Sequence, residues 1–289
     1  MNLQNIINEI EKVDPEVYGR MDDRRAAMKN FKNFGTKIAL AALPLAFGSM
    51  FNKAYAGPTG TKDAVIDVLN FALALECLES EFYKHAYAAA TAGTLAIPAG
   101  APLMAIQTIR DHEVAHVNFL TTAITASGGT PKIYTFMDFD FTAKGTFPTV
   151  FSDYGLFLAV AQTFEDTGVR AYKGQAANLQ SNKPVLTAAL NIHSVEARHA
   201  SHIRQLRKEN GSLVPSGVDV KPWITLNQSG IGSPAVQASY DGEDNTLQAT
   251  INIVSINGFT AVNANIASEA FDEPLTKEQV ITIVTPFFA

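Results

Sequence analysis

The strongest constraint on the fold is Arg110-Asp111-His112-Glu113-Val114-Ala115-His116, which sets a carboxylate and an imidazole three residues apart inside a run of helical character. Positions i and i+3 lie on one helix face about a turn apart, so Glu113 and His116 can offer an oxygen and a nitrogen to one metal. A second Glu-x-x-His follows at Glu196-Ala197-Arg198-His199. Two copies make two such offers.

The first copy also fits H-E-x-x-H, the zinc-peptidase helix with two histidine ligands and a glutamate base. That reading needs a third ligand. The position a metzincin would fill with its third histidine holds Thr122, and the following stretch to about residue 150 has Asp138 and Asp140 but no glutamate. A zinc peptidase is therefore the minor alternative.

Hydrophobic periodicity places these motifs. Val65, Val68, Leu69, Ala72, Leu75, Leu78, Phe82 and His85 recur every three or four residues and predict one face of a helix over 62–92, ended by Gly93. A loop with Pro98 and Gly100 leads to a second helix over 102–126, stopped by Gly128-Gly129-Thr130-Pro131. Residues 127–151 have no helical period, apart from a short extended piece at 134–141. A third helix is expected over 153–179, and a fourth from the Ser181-Asn182-Lys183-Pro184 cap to about residue 209. Short loop, long crossover, short loop is the connectivity of a four-helix bundle with one long connection.

The two halves, 62–126 and 152–210, read as an internal repeat, with Glu76 seven residues before Tyr83 and Glu165 seven before Tyr172. Seven residues is almost two turns, so each Glu and Tyr share a face. Bundles that bind two metals take one Glu from each of two helices and a Glu-x-x-His from each of the other two. Glu76, then Glu113 and His116, then Glu165, then Glu196 and His199 supply that set in order. Carboxylate oxygens with one imidazole per metal suit two iron or manganese ions, with oxygen or peroxide as the small-molecule substrate. Tyr83 and Tyr172 are candidate catalytic residues, able to donate a hydrogen bond or an electron. Glu79 is a further ligand, a hydrogen-bonding partner of the ligands, or an ordinary helix-surface acid. His112, His193 and His202 flank the ligand positions, and Asp166 is a candidate acceptor for a ligand imidazole N–H.

The remaining composition narrows the partners. Net charge is −6, and beyond residue 56 there are 14 basic against 22 acidic side chains with no basic run, so nucleic acid is not an expected partner. Cys77 is the single cysteine, which excludes an intramolecular disulfide and a thiolate cluster, and it reads as a buried apolar residue. In residues 1–56, Arg24-Arg25 with Lys29, an apolar run over 38–51 and Ala54-Tyr55-Ala56 are similar to a twin-arginine export signal with its cleavage site. The run is about 14 residues, against roughly 20 for a span, and Pro44 and Gly48 interrupt it. The expectation is an exported, periplasmic protein without a stable membrane span after processing.

After Gly211 the chain turns to Ser, Gly, Pro and Asn; Leu247, Ala249, Ile251 and Ile253 alternate as a strand would, and Thr276-Lys277-Glu278-Gln279 reads as a capping box opening a last short helix. The organisation expected is a signal-bearing segment over 1–56, a bundle over 57–212 and an irregular extension over 213–289 packed on it. A homo-oligomer is compatible with this, although the extension argues against a closed storage cage.

Asn70-Phe71-Ala72-Leu73-Ala74-Leu75-Glu76 with Glu79 and Phe82-Tyr83, then His112-Glu113-Val114-Ala115-His116, then Ala270-Phe271-Asp272-Glu273-Pro274-Leu275 together resemble the secreted ferritin-like, desiccation-related protein family. The resemblance covers most of 60–289. It implies an all-α, ferritin-like four-helix bundle with the two-metal site and sharpens the fold more than the activity; the chemistry of the site itself carries the expectation of redox work in stress protection, ferroxidase-like or catalase-like. The alternative it leaves is a non-enzymatic binding or stress protein with structural metal.

Overall fold

The computed structural model describes residues 62–254 and 263–289. The export-signal reading of residues 1–56 lies outside them. Four long helices carry the fold: α1 (Lys62–Thr91), α2 (Ala101–Ala126), α3 (Tyr154–Ala176) and α4 (Lys183–Asn210). α1 pairs along its length with α2, and α3 with α4, each pair joined by a short connection, with the crossover between the pairs. This is an all-α four-helix bundle with one long connection.

Local chemistry sets the ends. Asp153 accepts the Leu156 N–H at 3.1 Å to cap α3, and Asn182 accepts the Val185 N–H at 3.3 Å to cap α4, whose first turn carries Pro184. Gly211, at φ 70°, closes α4 in the left-handed conformation while its N–H reaches the Arg207 carbonyl. The last turn of the expected third helix tightens into a 3-10 segment, Ala177–Leu179.

Two sequence expectations change. The piece at 134–141 is a 3-10 turn, Phe136–Asp138, followed by a single bridge from Phe139 to Phe288. Here the chain end clamps the crossover: Asp140 N–H donates to the Phe287 carbonyl and Ala289 N–H to that of Asp138. The alternating residues 247–253 are not one strand but a hairpin of two-residue strands, β1 (Leu247–Gln248) and β2 (Ile251–Asn252), turned by Ala249 and Thr250 at positive φ. Alternation that spans a turn does not keep one face inward, and Leu247 and Ile251 are both about half exposed. His85, grouped with the apolar face of α1, is exposed and stacks on Phe136 with centroids 4.0 Å apart.

Aromatic packing fills one end of the core. Phe82 of α1 meets Phe157 and Phe164 of α3 at 5.2 and 5.0 Å, Phe141 and Phe151 of the crossover close over it, and Phe287 covers Phe164 at 4.7 Å.

Helix α3 is buried on nearly every side, which a helix with only one apolar face could not be. Its second buried face carries Gln162, Asp166 and Arg170 at four-residue spacing, and the C-terminal extension packs there. Arg170 donates to the carbonyls of Ser239, Asp241 and Glu273 and lies 2.6 Å from the Glu243 carboxylate. Arg204 grips both oxygens of Asp166, Tyr240 O–H donates to the same carboxylate at 2.8 Å, and Arg207 joins Gln162 to the Gly230 carbonyl. Leu275 N–H donates to the Arg170 carbonyl, and a Cβ on Gly174 would sit 1.9 Å from the Leu275 oxygen. The segment after α4 meets α3 through hydrogen bonds to buried charge. The Thr276–Gln279 capping box opens α6 (Lys277–Val284), after the short α5 (Ala264–Ser268).

Candidate metal centre

Each of the four long helices delivers carboxylates to the middle of the bundle. Glu76 on α1, Glu113 on α2, Glu165 on α3 and Glu196 on α4 have no solvent exposure, and the imidazoles of His116 and His199 lie among them, 11% and 6% exposed. His116 Nδ1 is 3.0 Å from Glu76 Oε2, 3.3 Å from Glu113 Oε2 and 3.0 Å from Glu196 Oε1. His199 Nδ1 is 2.9 Å from Glu113 Oε1, 3.4 Å from Glu165 Oε2 and 3.5 Å from Glu196 Oε2. Glu113 and Glu196 thus give one oxygen to each side, whereas Glu76 and Glu165 each serve one side. All six predicted ligands converge, as two sets of four whose ligand atoms lie within 4.8 Å of one another.

An imidazole Nδ1 carries at most one proton and cannot donate to three oxygens at once. Indeed Glu113 Oε1, Glu165 Oε2, both Glu196 oxygens and His199 Nδ1 have no partner of hydrogen-bond geometry, although His199 Nδ1 and Glu113 Oε1 are only 2.9 Å apart. Converging lone pairs that find no hydrogen are what a cation-binding cage presents. Four buried carboxylates without compensation would be strongly destabilising, and two divalent cations would balance them. The residues fit a pair of metal ions, each with one imidazole and three carboxylate contacts.

Protons take up part of that role in the metal-free chain. Burial pushes the Glu113 and Glu79 carboxyls well up, each with the charge of Glu196 adding to it. Burial raises Glu165 to about 7 against the lowering effect of His199. Burial disfavours imidazolium at both histidines, but Glu76 at His116 and Glu165 at His199 outweigh it; His199 is pushed up to about 12, and His116 also rises. Glu196 is held down at about 2 because proximity to both imidazoles overcomes burial.

The tyrosines cross between the halves. Tyr83 on α1 donates to Glu165 Oε1 at 2.5 Å, and Tyr172 on α3 donates to Glu76 Oε1. Each phenol binds the oxygen its glutamate keeps out of the cage, and so fixes which oxygen faces inward. Both phenol pKa values are raised, by burial first and then by these carboxylates.

Glu79 is a buried acid, 3% exposed, and belongs to neither ligand set. A Cβ on Gly168 would stand 3.2 Å from Glu79 Oε1 and 3.9 Å from Glu196 Oε2, so this glycine leaves the room in which the two carboxylates sit. His193 is turned away, its Nδ1 3.0 Å from the Val169 carbonyl. Asp166 is not the acceptor for a ligand imidazole, because Arg204 and Tyr240 saturate it on the outer face of α3.

The imidazole partner is His112, whose Nδ1 lies 2.9 Å from His199 Nε2. Burial, and then the charge of His199, lower its pKa and favour the neutral ring. This contact also separates His112 from the H-E-x-x-H scheme, since it is outside both ligand sets while Glu113 is inside them. The repeat pointed to residues inside each half, and partners across α2 and α4 leave no such spacing signal.

A four-helix bundle with two carboxylate–histidine sets around shared glutamates is compatible with a site for metal ions. The chain belongs to the ferritin-like domain family, whose model matches residues 64–209. No curated protein matches it.

Proposed function

We propose that the chain is an exported two-metal carboxylate protein that binds two iron or manganese ions and carries out redox chemistry with oxygen or peroxide, ferroxidase-like or catalase-like, in stress protection. The observation that carries this reading is that each of two buried imidazole Nδ1 atoms faces three carboxylate oxygens, with Glu113 and Glu196 shared between the sets. A bound pair would supply two one-electron couples side by side, and hard oxygen donors suit the higher oxidation states. Glu113 and Glu196 would help hold both ions, Glu76 and Glu165 would each contribute to one set, and Tyr172 and Tyr83 would keep those two carboxylates oriented.

The secreted, desiccation-related subfamily rests on the resemblance of Ala270-Phe271-Asp272-Glu273-Pro274-Leu275, a segment whose Asp272 and Glu273 carbonyls accept from Lys173 and Arg170 of α3. Export rests on the Arg24-Arg25 segment and its Ala54-Tyr55-Ala56 site. The test is anaerobic loading with Fe²⁺ or Mn²⁺, followed by oxygen or peroxide. Two ions per chain and consumption above that of free metal are expected. Two ions without consumption would favour structural metal, and no binding would end the proposal.

A further inference from the structure

The two halves of the centre are related by the repeat, but not perfectly. Aligning Glu113-x-x-His116 with Glu196-x-x-His199 places His112 opposite Val195. Both line a groove of about 620 Å³ between α2 and α4, together with Arg198, His202 and His199 itself; no acidic side chain lines it. His112 uses its place to reach across the groove: its Nδ1 meets His199 Nε2 at 2.9 Å, and the rings lie nearly parallel with centroids 5.2 Å apart. With His199 Nδ1 turned into the cage, its ring proton belongs on Nε2 and is donated to His112. Val195 has no atom that could accept such a proton from His116.

Exposure does not set the two sides apart in this direction, since His116 is slightly the more exposed ring. The difference is the acceptor outside the ring. A hydrogen bond on the outer nitrogen fixes a ligand imidazole's tautomer and orientation and makes its inner nitrogen a better donor; losing one costs about 10- to 100-fold in metal affinity.

We propose that His112 is a positioning residue that makes the two metal positions unequal, so that the position closed by His199, Glu165, Glu113 and Glu196 fills first and holds its ion more tightly than the position closed by His116 and Glu76. The proposal rests on the two-metal reading above, and Co²⁺ separates the failure of one from the failure of the other.

Anaerobic titration of the full chain with Co²⁺, followed by its visible absorption, should resolve two binding steps. At one equivalent, anomalous scattering from crystals should place the ion beside His199. His112→Val should weaken the tighter step about 10- to 100-fold and bring the steps together. His112→Gln, which keeps an acceptor, should restore much of the separation, and Val195→His should tighten the weaker step. His112 is exposed, so circular dichroism and melting of the metal-free variants should match the parent. Two bound ions with steps that His112→Val leaves unchanged, or a first ion beside His116, would overturn the inequality while leaving the two-metal reading intact. No bound Co²⁺ in the parent chain would overturn both.

Discussion

Removing metal should reverse the way stability responds to pH. In the metal-free chain, Glu165 is raised from its ordinary 4.5 to about 7, so its contribution is fully present below pH 4.5 and is lost as pH rises towards 7. At about 1.4 kcal/mol per pKa unit, that one carboxyl removes about 3 kcal/mol across the window. Glu113 and Glu79 are also raised and act in the same direction. His199, pushed up to about 12, contributes below pH 6.5 and loses that contribution above it, again with the same sign. Glu196, held down at about 2, changes only below pH 4.5. The metal-free protein should therefore melt at progressively lower temperature from pH 5 to pH 8. In the loaded protein cations replace those protons, and binding strengthens as protons cease to compete. Scanning calorimetry of chelated and Mn²⁺-loaded samples at pH 5, 6, 7 and 8 should show the gap widening with pH. A gap that stays constant, or a metal-free form that gains stability over this range, would refute the reasoning.

Tyr83→Phe and Tyr172→Phe each remove a hydrogen bond to a buried carboxylate, worth about 1.5–3 kcal/mol, and should weaken metal binding in a Co²⁺ titration; unchanged affinity in both would show that the phenols only pack. Gly174→Ala would set a Cβ 1.9 Å from the Leu275 carbonyl oxygen and should loosen the extension, seen as faster proteolysis within 241–289; the parent's cleavage rate would contradict the docking described. Arg204→Ala strands a buried Asp166 carboxylate, a loss of about 3–5 kcal/mol, whereas Arg204→Met with Asp166→Leu should recover much of it by urea unfolding. Equal losses in the single and double variants would contradict that account.

The six converging side chains were legible because they are written in helix periodicity: Glu-x-x-His twice, and Glu76 and Glu165 each seven residues before a tyrosine. The helix ends were legible for a similar reason, since Asp153, Asn182 and Gly211 act locally. What stayed hidden was pairing between elements. The same spacing showed that Tyr83 shares a face with Glu76, but not that its hydroxyl reaches Glu165 on α3. Asp166 stands next to Glu165 in the sequence, yet one residue is about 100° around a helix, and that turn carries it away from the imidazoles to Arg204 and Tyr240. Gln162, Asp166 and Arg170, polar residues four apart along α3, were the available sign of a second buried face. The hairpin at 247–252 was missed because alternation of apolar residues does not reveal a turn made by Ala249 and Thr250, residues with no special preference for positive φ.

The most direct measurement is anomalous diffraction from protein loaded with Mn²⁺ or Fe²⁺, collected on either side of the metal's absorption edge. Two peaks are predicted in the bundle centre, one among Glu76, Glu113, His116 and Glu196 and the other among Glu113, Glu165, Glu196 and His199. A loaded crystal with no peak there, or with a single ion held by His112 and His116, would contradict the account.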